Sequence, residues 1–141
     1  MRKFVLPLRR LFLPLAGAVL VGGCGGGGGS SPTETRQAPL AIDVTLASVT
    51  GATIVRASLH FDGGHLGTFS SSTPSNNARM DTVVQAEPGD HVIAAQIDEQ
   101  TGAPAQYRLT GTIVYKGSTT DIGETSATLD TGGRIEVRIH L

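Results

Sequence analysis

Alternation of apolar and polar side chains is the feature that most narrows what this chain can fold into. Ile42, Val44 and Leu46 alternate with Asp43, Thr45 and Ala47, and Ile93, Ala95 and Ile97 alternate with Ala94, Gln96 and Asp98. At the C-terminus Ile135, Val137, Ile139 and Leu141 alternate with Arg134, Glu136, Arg138 and His140. Val55, Ala57, Leu59 and Phe61 form one face of a further run, with Arg56, Ser58 and His60 on the other. Successive side chains point to opposite faces in an extended strand, so each run has one dry face and one mostly wet face. Apolar stripes at helical spacing are missing, and the sheet has to bury its dry face against a second sheet.

Turn-forming clusters separate the runs: Thr50–Gly51, Asp62 to Gly64, Ser70 to Asn77, Pro88–Gly89, Thr101 to Pro104, Gly117–Ser118 and Thr131 to Gly133. They predict strands over 40–49, 53–61, 65–70, 79–86, 91–98, 106–116, 124–130 and 134–141. Seven to eight strands at this spacing make an all-β, antiparallel β-sandwich. The folded domain spans 39–141 and contains 28 Leu, Ile, Val, Met, Phe or Tyr residues, enough for one modest core.

The N-terminus has a different organisation. MRKFVLPLRR is basic, LFLPLAGAVLV is apolar, and Gly22 and Gly23 are small residues before Cys24. This is the layout of an export signal, and the apolar stretch is too short to cross a hydrocarbon core of about 30 Å. Residues 1–23 are therefore expected to be a signal peptide. Cys24 is the only cysteine, so an exported chain has no disulfide partner for it. Residues 24–38 are rich in Gly and Ser, cannot bury enough apolar surface to order themselves, and are expected to be a tether reaching about 20 Å on average. Without the leader, 7 Lys and Arg face 12 Asp and Glu, a net charge of -5. So acidic a body offers no footprint for nucleic acid.

The run LVGGC resembles the lipobox of bacterial lipoproteins, with Val21 where that family prefers Leu. The resemblance implies that Cys24 becomes the first mature residue and carries a diacylglyceryl thioether and an N-acyl chain. Two or three chains give stable membrane anchoring. Gly25 stands where an Asp would signal retention at the inner membrane, which implies an outer-membrane destination in a host that has one.

The stretch ASLHFDGGHLGTF, followed by TVVQAEPGDHVIAAQID, resembles PEGA-type and related immunoglobulin-like surface domains of bacteria, at Asp62, Gly63, Gly67, Pro88, Gly89 and His91. That family's closing Gly-aromatic pair is absent after Asp98. The resemblance implies an immunoglobulin-like sandwich serving as an envelope-facing binding or spacer module, with no catalytic residues to carry over.

Candidate chemistry is sparse. In HFDGGH, His60 and Asp62 share strand parity and His65 returns across the turn, and imidazole plus carboxylate suits zinc or another borderline metal. Three ligands at this spacing match no recognised metal motif, so no resident metal or cofactor is expected. His91 is expected to be hydrogen-bonded at the sandwich edge rather than to act as a base. No G-x-S-x-G elbow is present, and GGGGG has no following Lys to cradle phosphate. Sugar stacking would have to use Phe61, Phe69, Tyr107 or Tyr115, of which Phe61 is expected in the core. The sequence thus points to a non-enzymatic, membrane-anchored module whose partners are envelope proteins or glycans, contacted through the 62–66 hairpin tip and the 70–77 loop. The alternative is a ligand- or metal-binding exported protein, enzymes included, that uses the HFDGGH hairpin with His60, Asp62 and His65; Phe69 is a separate candidate binding residue, forming a small exposed patch with the 70–77 loop. Mass spectrometry of the detergent-extracted mature protein is expected to find Cys24 at the N-terminus with its acyl chains. An unmodified thiol, or cleavage elsewhere, would contradict the lipoprotein reading.

Overall fold

The computed structural model describes residues 36–141; the leader 1–23, Cys24 and most of the tether lie outside the described residues. Eight strands follow in order: β1 (Ala38–Ser48), β2 (Thr53–Phe61), β3 (Gly64–Ser75), β4 (Asn77–Ala86), β5 (Asp90–Thr101), β6 (Ala105–Tyr115), β7 (Ser118–Leu129) and β8 (Arg134–His140). They form two four-stranded antiparallel sheets, ordered β4-β1-β6-β7 and β3-β2-β5-β8. This is the expected all-β sandwich. Its strand order is not that of an immunoglobulin constant domain, whose first two strands share a sheet. Here the short 49–52 link carries the chain from one sheet to the other between β1 and β2.

The alternating residues fill the space between the sheets. Leu40, Ile42, Val44 and Leu46 of β1 are all essentially inaccessible, as are Ile93, Ala95 and Ile97 of β5 and Leu109 of β6. Tyr107 is buried too, and its hydroxyl donates to Gln100 Oε1 at 2.5 Å, so the one polar atom on this large side chain is satisfied. Burial pushes the Tyr107 phenol above its usual range, and the Asp130 carboxylate adds to the effect.

Three expectations need correction. First, Val55 does not share the core face of Ala57 and Leu59. A register shift between Ile54 and Arg56 flips the parity, so Ile54 is buried and Val55 is only half-buried. Second, 70–77 is not a loop. β3 continues to Ser75, which still pairs with Ile54 beyond the bulge, and Asn76 alone bends the chain into β4 of the other sheet. Third, β7 begins at Ser118 rather than near residue 124, because Lys116 and Gly117, both with positive φ, close a two-residue hairpin onto β6. The wet face of β2 and β5 is also drier than alternation implies. Ala94 is fully buried, and Ser58 is buried while donating to the Asp98 carboxylate.

β6 carries one residue whose identity the sheet dictates. Gly111 lies opposite Val44, and a Cβ there would sit 2.3 Å from the Asp43 carbonyl oxygen and 2.8 Å from the Val44 Cα. Both are backbone atoms of a central strand and cannot swing aside. The ladder between β6 and β7 also slips one residue at this point. Gly111→Ala is expected to lower unfolding free energy by about 1–3 kcal/mol. Gly67→Ala, where the new Cβ meets nothing within 4 Å, should change it by less than about 0.5 kcal/mol. Urea denaturation of the two variants checks the contrast.

Candidate functional site: the Asp62 hairpin and His91

β2 and β3 are joined by two residues, Asp62 (φ 48°) and Gly63 (φ 82°). Positive φ at both central positions is the type I′ geometry that matches strand twist, and Asp-Gly adopts it at little cost. The turn sets His60 opposite His65 and Phe61 opposite Gly64. The two imidazoles meet edge to face, with centroids 5.5 Å apart, and His65 Nε2 lies 2.9 Å from Thr68 Oγ1. Both His60 ring nitrogens are buried without a hydrogen-bond partner among the described residues.

Asp62 turns away from this histidine pair. Its Oδ1 accepts from the Val92 N–H at 2.9 Å, and its Oδ2 lies 2.7 Å from His91 Nδ1. The His60, Asp62 and His65 side chains therefore do not converge. Among the described residues no group of three or more His, Cys, Asp or Glu side chains is placed to hold a metal ion. The spacing of HFDGGH suggested a cluster because it reports only strand parity. The carboxylate's direction is decided by β5, thirty residues further along the chain.

His91 has a partner on each nitrogen. Nδ1 meets the Asp62 carboxylate, and Nε2 lies 2.9 Å from the Glu87 carbonyl oxygen. A carboxylate and a carbonyl can only accept, so this pair of partners favours the imidazolium, which can donate from both nitrogens. It stacks on Phe61 at 4.9 Å between centroids, with ring planes 21° apart, a cation over an aromatic face. Phe61 is accordingly half-buried, part core and part support for His91. Burial by itself would lower the His91 pKa, but the bonds to Asp62 and the Glu87 carbonyl outweigh it and raise the value above 6.5. Burial would likewise raise the Asp62 carboxyl, yet the bonds from His91 and the Val92 N–H hold it below 3.8. His91 was legible from sequence as an edge residue; its pairing with Asp62 left no sequence signal.

Phe69 is half-buried against the core and lines a groove of about 340 Å³ with Leu59, Met80, Arg79 and Asp81, on the side of the sandwich where β3 and β4 lie. It does not join the histidines in one surface. The hairpin tip shares its end of the sandwich with the start of β1 at Ala38, the Glu87–Gly89 turn and Leu141, which exchanges backbone hydrogen bonds with Gly89. At that end Asp90 and His140 form a second pair at 2.7 Å, standing in solvent. No family model, curated protein sequence or solved structure matches this chain.

The Asp62–His91 clasp makes stability pH-dependent in two directions. His91, whose pKa folding raises, contributes fully below 6.5, and its contribution fades as pH climbs through the folded-state value. Asp62, whose pKa folding lowers, contributes fully above 3.8 and loses its contribution as pH falls through the folded-state value. The difference in Tm between the parent and His91→Gln is therefore expected to be greatest between pH 3.8 and 6.5 and to shrink on both sides. Thermal unfolding across that range checks it, and a difference that grows above neutrality would refute an imidazolium clasp.

Proposed function

We infer that this protein is a non-enzymatic lipoprotein of the cell envelope, anchored through lipid on Cys24, whose β-sandwich serves as a binding or structural module. The LVGGC leader supports the anchor. The observation that supports a non-enzymatic role is the use of both His91 nitrogens. A general base has to reach substrate with a ring nitrogen, and both nitrogens of the half-buried His91 are engaged within the fold by Asp62 and the Glu87 carbonyl. The Asp90–His140 pair, 90% and 77% exposed, lies where solvent screens it. The domain's partners are envelope proteins or glycans, met on a rigid β scaffold.

A second reading, binding of a ligand or metal at the hairpin, is favoured by one observation. Two imidazoles lie side by side on an outer sheet face, and the His60 nitrogens have no partner of their own. Neutral imidazoles suit zinc and similar ions, with remaining positions supplied by water or a ligand.

Cys24→Ser is expected to move the protein out of the membrane fraction, and zinc titration of the parent by calorimetry is expected to show no micromolar site. Tight zinc binding that vanishes in His60→Ala/His65→Ala would replace the first reading with the second. Membrane retention of Cys24→Ser would remove the anchor.

A further inference from the structure

Each sheet of an open sandwich ends in two strands whose outer backbone groups lack a neighbour, and proteins ordinarily blunt such edges. Three of the four edges here are blunted. β3 is broken by register shifts beside Ile54 and Leu59 and contains Pro74, which has no N–H. β7 carries the slip opposite Gly111 and a left-handed Gly123 (φ 77°). β8 is seven residues long and sets Arg134, Glu136 and Arg138 on its outer face. β4 is different: ten residues without Gly, Pro or bulge, in unbroken register with β1 from Asn77 to Ala86.

The outer face of β4 also carries an uneven charge. Asp81 lies directly opposite Asp43 on β1, and Arg79 spends its Nε and Nη2 on Asp43, at 3.0 and 2.5 Å. Asp81 makes no side-chain hydrogen bond among the described residues and feels Arg79 only through the Coulombic attraction between them. Like charges placed across a ladder are destabilising until a cation joins them. Arg79 retains Nη1 with its two donors, and its side chain is 71% exposed.

We propose that β4 is a dimerisation edge, along which two copies of this chain pair antiparallel about Met80, extending the four-stranded sheet to eight. Rotation about that centre sets Arg79 of each copy opposite Asp81 of the other, so the spare guanidinium nitrogen meets a carboxylate that no cation hydrogen-bonds within one copy, twice per dimer. Ala78 then faces Thr82, Asn77 faces Val83, and the two Met80 residues meet. Met80 belongs to the core, so its partner continues the apolar layer across the junction. Val83, 63% exposed in one copy, gains a neighbour. The seven-residue ladder from Asn77 to Val83 supplies backbone hydrogen bonds as in other β-strand additions. The charge pattern +, −, spaced by two about Met80, is complementary to its own reverse, which suits a second copy better than an unrelated strand.

Sedimentation of the full-length protein in detergent tests the arrangement. The parent is expected to be dimeric. Asp81→Arg, which breaks no hydrogen bond within one copy and removes only the Coulombic pull of Asp81 on Arg79, is expected to weaken association by at least about tenfold because four arginines then meet at the junction. Arg79→Asp should do the same by placing four carboxylates there. An equimolar mixture of the two variants should recover a dimer, since every cross-pair is then Arg against Asp. A monomeric parent, an Asp81→Arg protein that dimerises as well as the parent, or a mixture that stays monomeric would each overturn the proposal. Circular dichroism of the Asp81→Arg protein separates loss of pairing from loss of fold.

Discussion

Everything else in this domain rests on burial of the alternate side chains of β1 between two sheets. β1 is an inner strand of its sheet, paired on both sides, and Leu40, Ile42, Val44 and Leu46 are its contribution to the core. Each such side chain is worth about 1.5–3 kcal/mol when fully removed from water. Because the opposite parity of the same strand holds Asp43 and Thr45, a slip of one residue would bury a carboxylate, so the register with both neighbours is strongly specified. The close approach of Gly111 to the Asp43 carbonyl is a local consequence: a well-seated β1 leaves no room for a side chain across from it.

With the core so constrained, polar interactions decide how the ends and faces behave. At one end the Asp62 turn is held to β5 by a charged, stacked imidazole, which also bonds the turn leading out of β4. The β2–β3 turn, 29 residues away, is thereby joined at His91 to the turn that leads into β5. The same end receives the chain at Ala38, so the clasp stiffens the part of the domain nearest to any tether. On the outer face of β4 and β1, by contrast, one cation, Arg79, serves two facing aspartates and hydrogen-bonds only Asp43. That imbalance lies on the one long edge without a bulge or proline. Edge accessibility and unbalanced charge in the same place are more informative than either alone.

The sequence carried the fold in its period. Alternation in β1, β5 and β8, together with Asp-Gly, Pro-Gly and the glycine-bearing turns, was enough to predict a sandwich of seven to eight strands and the dry faces of β1 and β5, because both signals are local. The proposal of a leader and a lipidated Cys24 likewise rests on the sequence alone, since targeting is read from linear order. Where local reading failed, a distant strand was responsible. The bulge between Ile54 and Arg56 exists because β2 must keep step with both β3 and β5, and it reverses the parity that Val55 shows in sequence. Ser70 to Ser75 is polar enough to pass for a loop, yet Ser75 is held as strand by its pairing with Ile54.

The candidate site divides in the same way. His60, Asp62 and His65 were visible as a motif, and the sequence determined that the two histidines face each other across a tight turn. Only the tertiary structure decided that Asp62 leaves them for His91, that both His91 nitrogens are occupied, and that Phe69 belongs to a different groove. The reason is physical: a turn's backbone follows from two adjacent residues, whereas a side chain's direction depends on which donors the rest of the fold brings within hydrogen-bond reach.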